Sequence, residues 1–215
     1  MTMSVNDIFE EFLLDNPDLA GLRADIAQAY GMLRETYDGH GKVLICGNGG
    51  SAADSEHIVG ELMKGFKLPR RLTAAQTAAF DGIDGGDYIA ANLQRSLAAI
   101  SLVSQTALMT AFANDAAADM MFAQQVYGYG VPGDTLIALS TSGNSASIVN
   151  AAKAARAIGV KVLGITGSNE SKLSAVADVC VCLPSTQTYR IQEYTLPVYH
   201  ALCAMLEEEF FGENK

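Results

Sequence analysis

The feature that most constrains this chain is an alternation that begins at Lys42. Short β-branched runs, KVLICG, LAAISLV, DTLIALS, KVLGITG and VADVCVCLP, are separated by stretches with helical periodicity. The spacing predicts helices near 52–66, 106–129, 145–158 and 188–211, with a short helix between the last two strands. Strands that are apolar almost throughout and alternate with helices imply an α/β fold: a parallel sheet covered on both faces, hence three layers.

Two segments stand outside this rhythm. Residues 4–14 and 18–38 are helical in period, separated by the breaker Asp15-Asn16-Pro17, and are apolar enough to require a packing partner, which we expect to include copies of the chain itself. Residues 67–96, with KLPRRLT and the turn-rich DGIDGGD, are too long for an ordinary connection and read as an insertion with some helix of its own. With 215 residues, 49% of them apolar, the chain can bury one sizeable core, so a single domain over 1–215 is expected.

Composition also excludes function classes. The apolar runs stop short of the roughly 18 residues of a membrane span, and the N-terminal MTMSVNDIFEEF carries acids where a secretory signal carries bases, so a cytoplasmic protein without a membrane partner is expected. Four cysteines without zinc-finger spacing read as buried thiols. A net charge of −10, with Lys67, Arg70 and Arg71 as the densest basic cluster, argues against nucleic acid.

In a doubly wound sheet, ligands bind beyond the carboxyl ends of the strands, against helix N-termini. Two loops lie there: CGNGGSAAD from Cys46 and STSGNS at 140–145. The first lacks both the Gly-Lys-Ser/Thr of a P-loop and the full dinucleotide spacing, since Ala52 stands three residues after Gly49. The second offers Ser140, Thr141, Ser142 and Ser145 around one glycine, hydroxyls and amides for a phosphate without a cation; Ser145 alone also suits an ordinary N-cap. His57 and Glu61, four apart on the first helix, leave one face about 6–9 Å from the loop at 1.5 Å per residue. That matches a sugar phosphate, although such a pair is also common on surfaces. Gln192 and His200 share a stripe of the last helix, with Pro197 between them expected to bend it.

Together, CGNGGSAADSEHIVGEL, FAND at 112–115, STSGNS and RIQE followed by His200 resemble the sugar isomerase (SIS) domain family, and within it the phosphoheptose isomerases, which convert sedoheptulose 7-phosphate to an aldoheptose 7-phosphate. The resemblance covers roughly 1–66 and 97–211 and implies a five-stranded parallel sheet in a homotetramer with sites at subunit interfaces. It implies that Asn48, Gly49, Gly50, Ser51, Ser140, Thr141, Ser142 and Ser145 hold substrate, and that Asn114 and Asp115 meet its hydroxyls. It further implies one zinc ion among His57, Glu61, Gln192 and His200. Glu61 and His200 then suit the acid–base pair of an enediol mechanism, with zinc as a Lewis acid. Two rivals remain: an isomerase of another phosphosugar, and a non-catalytic adaptor of the same fold that binds a replication initiator. Retention of His57, Glu61 and His200 speaks against the adaptor.

Overall fold

The computed structural model describes residues 3–212; Met1, Thr2 and 213–215, the ends of the expected domain range, lie outside the described residues. Five strands form one sheet: β1 (Val43–Cys46), β2 (Ala99–Ser101), β3 (Thr135–Leu139), β4 (Lys161–Thr166) and β5 (Val179–Cys182). Every neighbouring pair is parallel, in the order β2-β1-β3-β4-β5. Because side chains alternate across a strand, the sheet splits its residues between two cores. Val43, Ile45, Ile137, Leu139, Leu163, Ile165 and Val181 face one core, while Leu44, Cys46, Leu136, Ala138 and Val162 face the other.

Helices close both faces. The first core is covered by α1 (Val5–Asp15), α2 (Arg23–Asp38), α3 (Gly50–Met63) and α9 (Thr188–Phe211), and the second by α7 (Met121–Tyr129) and α8 (Ala146–Ala157). The three-layer parallel α/β fold expected from the alternation is the fold observed. The two N-terminal helices find part of their cover within the chain, since Ile8, Phe9, Phe12, Ile26 and Leu33 share the first core with Val198 and Leu202 of α9.

Several local expectations need correction. The helical stretches expected over 106–129 are present as α6 (Thr106–Phe112), a single π-helical turn, Ala113–Ala117, a 3₁₀ turn and then α7. The 18–38 stretch begins as a 3₁₀ helix at Pro17–Leu22, because a proline at its start and a glycine at 21 favour the tighter turn. The short helix expected between β4 and β5 is only a turn near 172–176, where two helical bonds, Ala175 N–H to Ser171 and Ala177 N–H to Leu173, are joined by Ser171 and Ser174 bonding each other's backbone. Pro197 lies inside α9, which continues through it as one helix of 24 residues. Cys46 and Cys203 are buried, but Cys180 and Cys182 on the edge strand β5 are only half-buried; all four are free thiols. No helix among the described residues is long and apolar enough to cross a membrane.

The 67–96 segment carries two short helices, α4 (Ala74–Ala78) and α5 (Gly86–Asn92), the first closed by a Thr73/Gln76 capping box. Its ends are drawn together by an antiparallel bridge between Arg71 and Gln94.

Candidate active site

The strand order reverses between β1 and β3: the chain leaves β1 toward β2 on one side and leaves β3 toward β4 on the other. A crevice opens at such a switch point, flanked by the loops that follow the two strands. These loops are residues 47–49 and 140–145, the two glycine- and serine-rich stretches. Here they border a cavity of about 340 Å³ lined by Asn48, Gly49, Gly50, Ser51, Ser140, Thr141, Ser142, Ser145 and Gln192, together with Leu139 and Thr188. None of these side chains is cationic, so an anion held there would be met by hydroxyls, amides and helix N-termini.

The backbone explains the residue choices. Gly49 sits at φ +58°, a conformation that costs a side chain, and a Cβ on Gly50 would stand 2.5 Å from Gln192 Nε2. The start of α3 therefore comes into contact with α9. Ser145 occupies the N-cap position of α8 but does not cap it. Its hydroxyl instead accepts from Asn48 Nδ2 at 2.9 Å, and the same amide reaches Ser147 Oγ at 3.0 Å. Asn48 thus ties the two loops together, and no side chain caps the N-terminus of α8.

About two to three turns along α3 lies a second cluster. His57 Nε2 is 3.2 Å from Glu61 Oε1, a contact dictated by their i,i+4 spacing, and 3.5 Å from His200 Nε2 on α9. Glu61 is 8% exposed; its Oε2 is buried without a hydrogen-bond partner and has an ion-pair contact of 3.6 Å to Lys64. Burial, and then the neighbouring His57, hold His200 below its ordinary pKa, against the opposing pull of Glu61. A neutral imidazole is what both a proton acceptor and a metal ligand require. His200 also borders a cavity of about 390 Å³ between α1 and α9, walled by Phe12, Phe66 and Pro197.

The expected site residues therefore divide into groups. Nine of them line the loop cavity. His57, Glu61 and His200 converge beside one another, whereas Gln192 turns to the loop cavity and makes no hydrogen bond to the other three among the described residues. Among the described residues, no group of three or more His, Cys, Asp or Glu stands as a ready-formed metal site. Asn114 and Asp115 lie exposed on the π turn, bonded to each other at 2.8 Å, and border neither cavity.

Two groups were missed by sequence reasoning. Tyr199 Oη contacts His57 Nδ1 at 2.8 Å and Asp54 Oδ1 at 3.5 Å. Asp54 stands three residues before His57, a spacing that could have marked it, and burial raises its carboxyl pKa while the tyrosine and His57 lower it. Tyr199 carried no such signal, because its neighbour His200 leaves the helix about 100° away.

Comparison with known proteins agrees with this geometry. The SIS domain family matches residues 85–167. The phosphoheptose isomerase of Rhodospirillum rubrum is 40% identical over 183 residues, 85% of each chain, and that of Akkermansia muciniphila is 36% identical over 194 residues, 90% of each. Among solved structures, a phosphoheptose isomerase from Neisseria gonorrhoeae superposes with a TM-score of 0.70 at 32% identity, covering 91% of this chain and 93% of that one. Another from Francisella tularensis gives 0.72 at 26% identity over 95% and 96%. With the loop cavity at the switch point and the His57–Glu61–His200 cluster beside it, this chain belongs to the phosphoheptose isomerase family of SIS-domain enzymes.

Proposed function

We propose that the protein isomerises sedoheptulose 7-phosphate to D-glycero-D-manno-heptose 7-phosphate through an enediol. The observation that carries this reading is the placement of a cation-free, hydroxyl-lined cavity at the start of α3, with the buried carboxylate of Glu61 and the imidazole of His57 further along the same helix and that of His200 facing them from α9. The carbonyl end of a seven-carbon sugar lies at the far end of the chain from its phosphate, so phosphate in the loop cavity directs C1 and C2 along α3 toward Glu61.

Moving the carbonyl from C2 to C1 transfers one proton between the carbons and one between the oxygens. Glu61, through the unpartnered Oε2, takes the proton from C1 and returns it to C2. His200, kept neutral by its surroundings, carries the hydroxyl proton between O1 and O2. Asn48, Ser51, Ser140, Thr141, Ser142 and Ser145 hold the phosphate, and Asn114 and Asp115, which border neither cavity within one chain, are proposed to meet sugar hydroxyls across a subunit interface of the assembly.

The chemistry of this donor set fits a zinc ion, though the three groups would have to close around it: His57 lies 3.2 Å from Glu61 and 3.5 Å from His200, and one carboxylate oxygen lacks a hydrogen bond. His57, Glu61 and His200 would hold it; Gln192 would have to leave Gly50 to join them. When bound, zinc supplies Lewis-acid stabilisation of negative charge on the sugar oxygens. The assembly proposed is a cytoplasmic homotetramer, in keeping with the free thiols.

The test is a panel of ketose phosphates of five, six and seven carbons, with unphosphorylated sedoheptulose as control, each product identified by NMR. Turnover of the heptulose phosphate, with the free sugar inert, is expected. Preference for a shorter phosphosugar would reassign the substrate, and equal turnover of the free sugar would overturn the role of the loop cavity.

A further inference from the structure

Behind the imidazole of His57 runs a line of four groups, Asp54–Tyr199–His57–Glu61, with gaps of 3.5, 2.8 and 3.2 Å. Tyr199 is 2% exposed, and its ring meets those of His57 and His200 edge-on at 5.4 and 4.9 Å between centroids, so the hydroxyl is fixed in place by packing. Counting hydrogens along the line is informative. Ionised carboxylates at the two ends can only accept. The hydroxyl and a neutral imidazole between them supply one hydrogen each, for three gaps. One gap is left without a hydrogen, and it falls at Asp54 or at Glu61, because an empty middle gap would set the tyrosine oxygen and Nδ1 lone pairs against each other across 2.8 Å, the shortest of the three. A cation shared by His57 Nε2 and Glu61 removes the need for a hydrogen at that end. Both hydrogens then point the other way: Nδ1–H donates to the Tyr199 oxygen, and the hydroxyl donates to Asp54.

We propose that Tyr199, backed by Asp54, is a positioning residue that holds His57 in its Nδ1–H tautomer and so presents the Nε2 lone pair to zinc. The inference rests on the zinc reading above. It assigns Tyr199 an outer role: orienting the ring and raising the basicity of the ligand without touching metal or substrate. The line also accounts for a buried hydroxyl placed between an imidazole and a carboxylate that proton transfer to the sugar does not use.

The experiment measures zinc affinity of metal-free protein by competition with a chromophoric chelator, and the imidazole ¹⁵N shifts of the zinc-loaded protein. Tyr199→Phe removes one oxygen and keeps the ring; outer partners of this kind are worth about 10- to 100-fold in metal affinity, and a loss in that range is expected. Asp54→Asn, which can turn an amide N–H toward the tyrosine, should weaken zinc as well and keeps the test open if Tyr199→Phe fails to fold. Thermal unfolding of metal-free Tyr199→Phe and its phosphate binding should remain native-like, and His57 should carry its proton on Nδ1. Zinc bound by both variants as tightly as by native protein, while His57→Ala loses it, would overturn the positioning role alone. Native protein that takes up no zinc, or His57→Ala that binds it equally, would overturn the metal reading and this inference with it.

Discussion

Glu61 illustrates how much a single position can be asked to do. One carboxylate oxygen faces His57 at 3.2 Å and the other is buried without a hydrogen bond, an arrangement that costs stability unless a ligand or substrate proton completes it. Glu61→Gln keeps the shape but removes the base. Turnover should fall by about 10²- to 10⁴-fold, while the affinity for inorganic phosphate, measured by calorimetry, stays close to native. Near-normal turnover would exclude Glu61 as the base. Ser145 is the contrasting case. Its type and place predicted an N-cap, yet Asn48 reaches across from the other loop and takes the hydroxyl as an acceptor. A residue that could serve its own helix serves the junction between two loops.

At the scale of elements, the most informative feature is the knot that begins the 67–96 segment. Arg70 and Glu207 are both essentially inaccessible and paired at 2.7 Å, so of the basic cluster noted in the sequence only Lys67 and Arg71 reach the surface. Glu207 also accepts the backbone N–H groups of Phe66, Lys67 and Leu68, while Arg70 donates to the main-chain carbonyls of Glu61 and Leu62. The last carbonyls of a helix lack intrahelical partners, and here an arginine from the following loop satisfies two of them at the end of α3. Removing one partner of a buried pair strands the other charge. Arg70→Ala should therefore destabilise the protein by about 3–5 kcal/mol, read from denaturant unfolding. Arg70→Lys should recover only part, because a single ammonium cannot reproduce the planar fork. A cost within ordinary surface range would show that the knot is relaxed in solution.

For the whole molecule, the question is what covers the outer side of α1 and α9. Part of the apolar face of α1 is satisfied within the chain, but Leu14 remains 80% exposed and a cavity lies between α1 and α9 next to His200. The proposed homotetramer would bury this region, as obligate interfaces bury apolar surface. Light scattering should give four times the 22.7 kDa chain mass. A stable monomer at micromolar concentration would contradict the assembly.

What the sequence determined by itself was whatever depends on neighbours along the chain. Short β-branched apolar runs alternating with period-3.6 stretches placed the five strands and the long helices, and the glycines and serines after β1 and β3 announced a binding crevice, because helix starts and turns are encoded locally. The i,i+4 contact of His57 with Glu61 followed from helix geometry in the same way. Contacts between distant segments were decided only by the tertiary structure. Gln192 and His200 share a helix stripe, yet they serve different cavities, because α9 spans the start of α3 at one end and its middle further along. Tyr199 reaches His57 and Asp54 only because α9 packs against α3, and Arg70 looks like a surface base until Glu207, 137 residues away, is brought beside it. Such pairings cost loop closure and gain packing at once, and periodicity carries no record of which segments will meet.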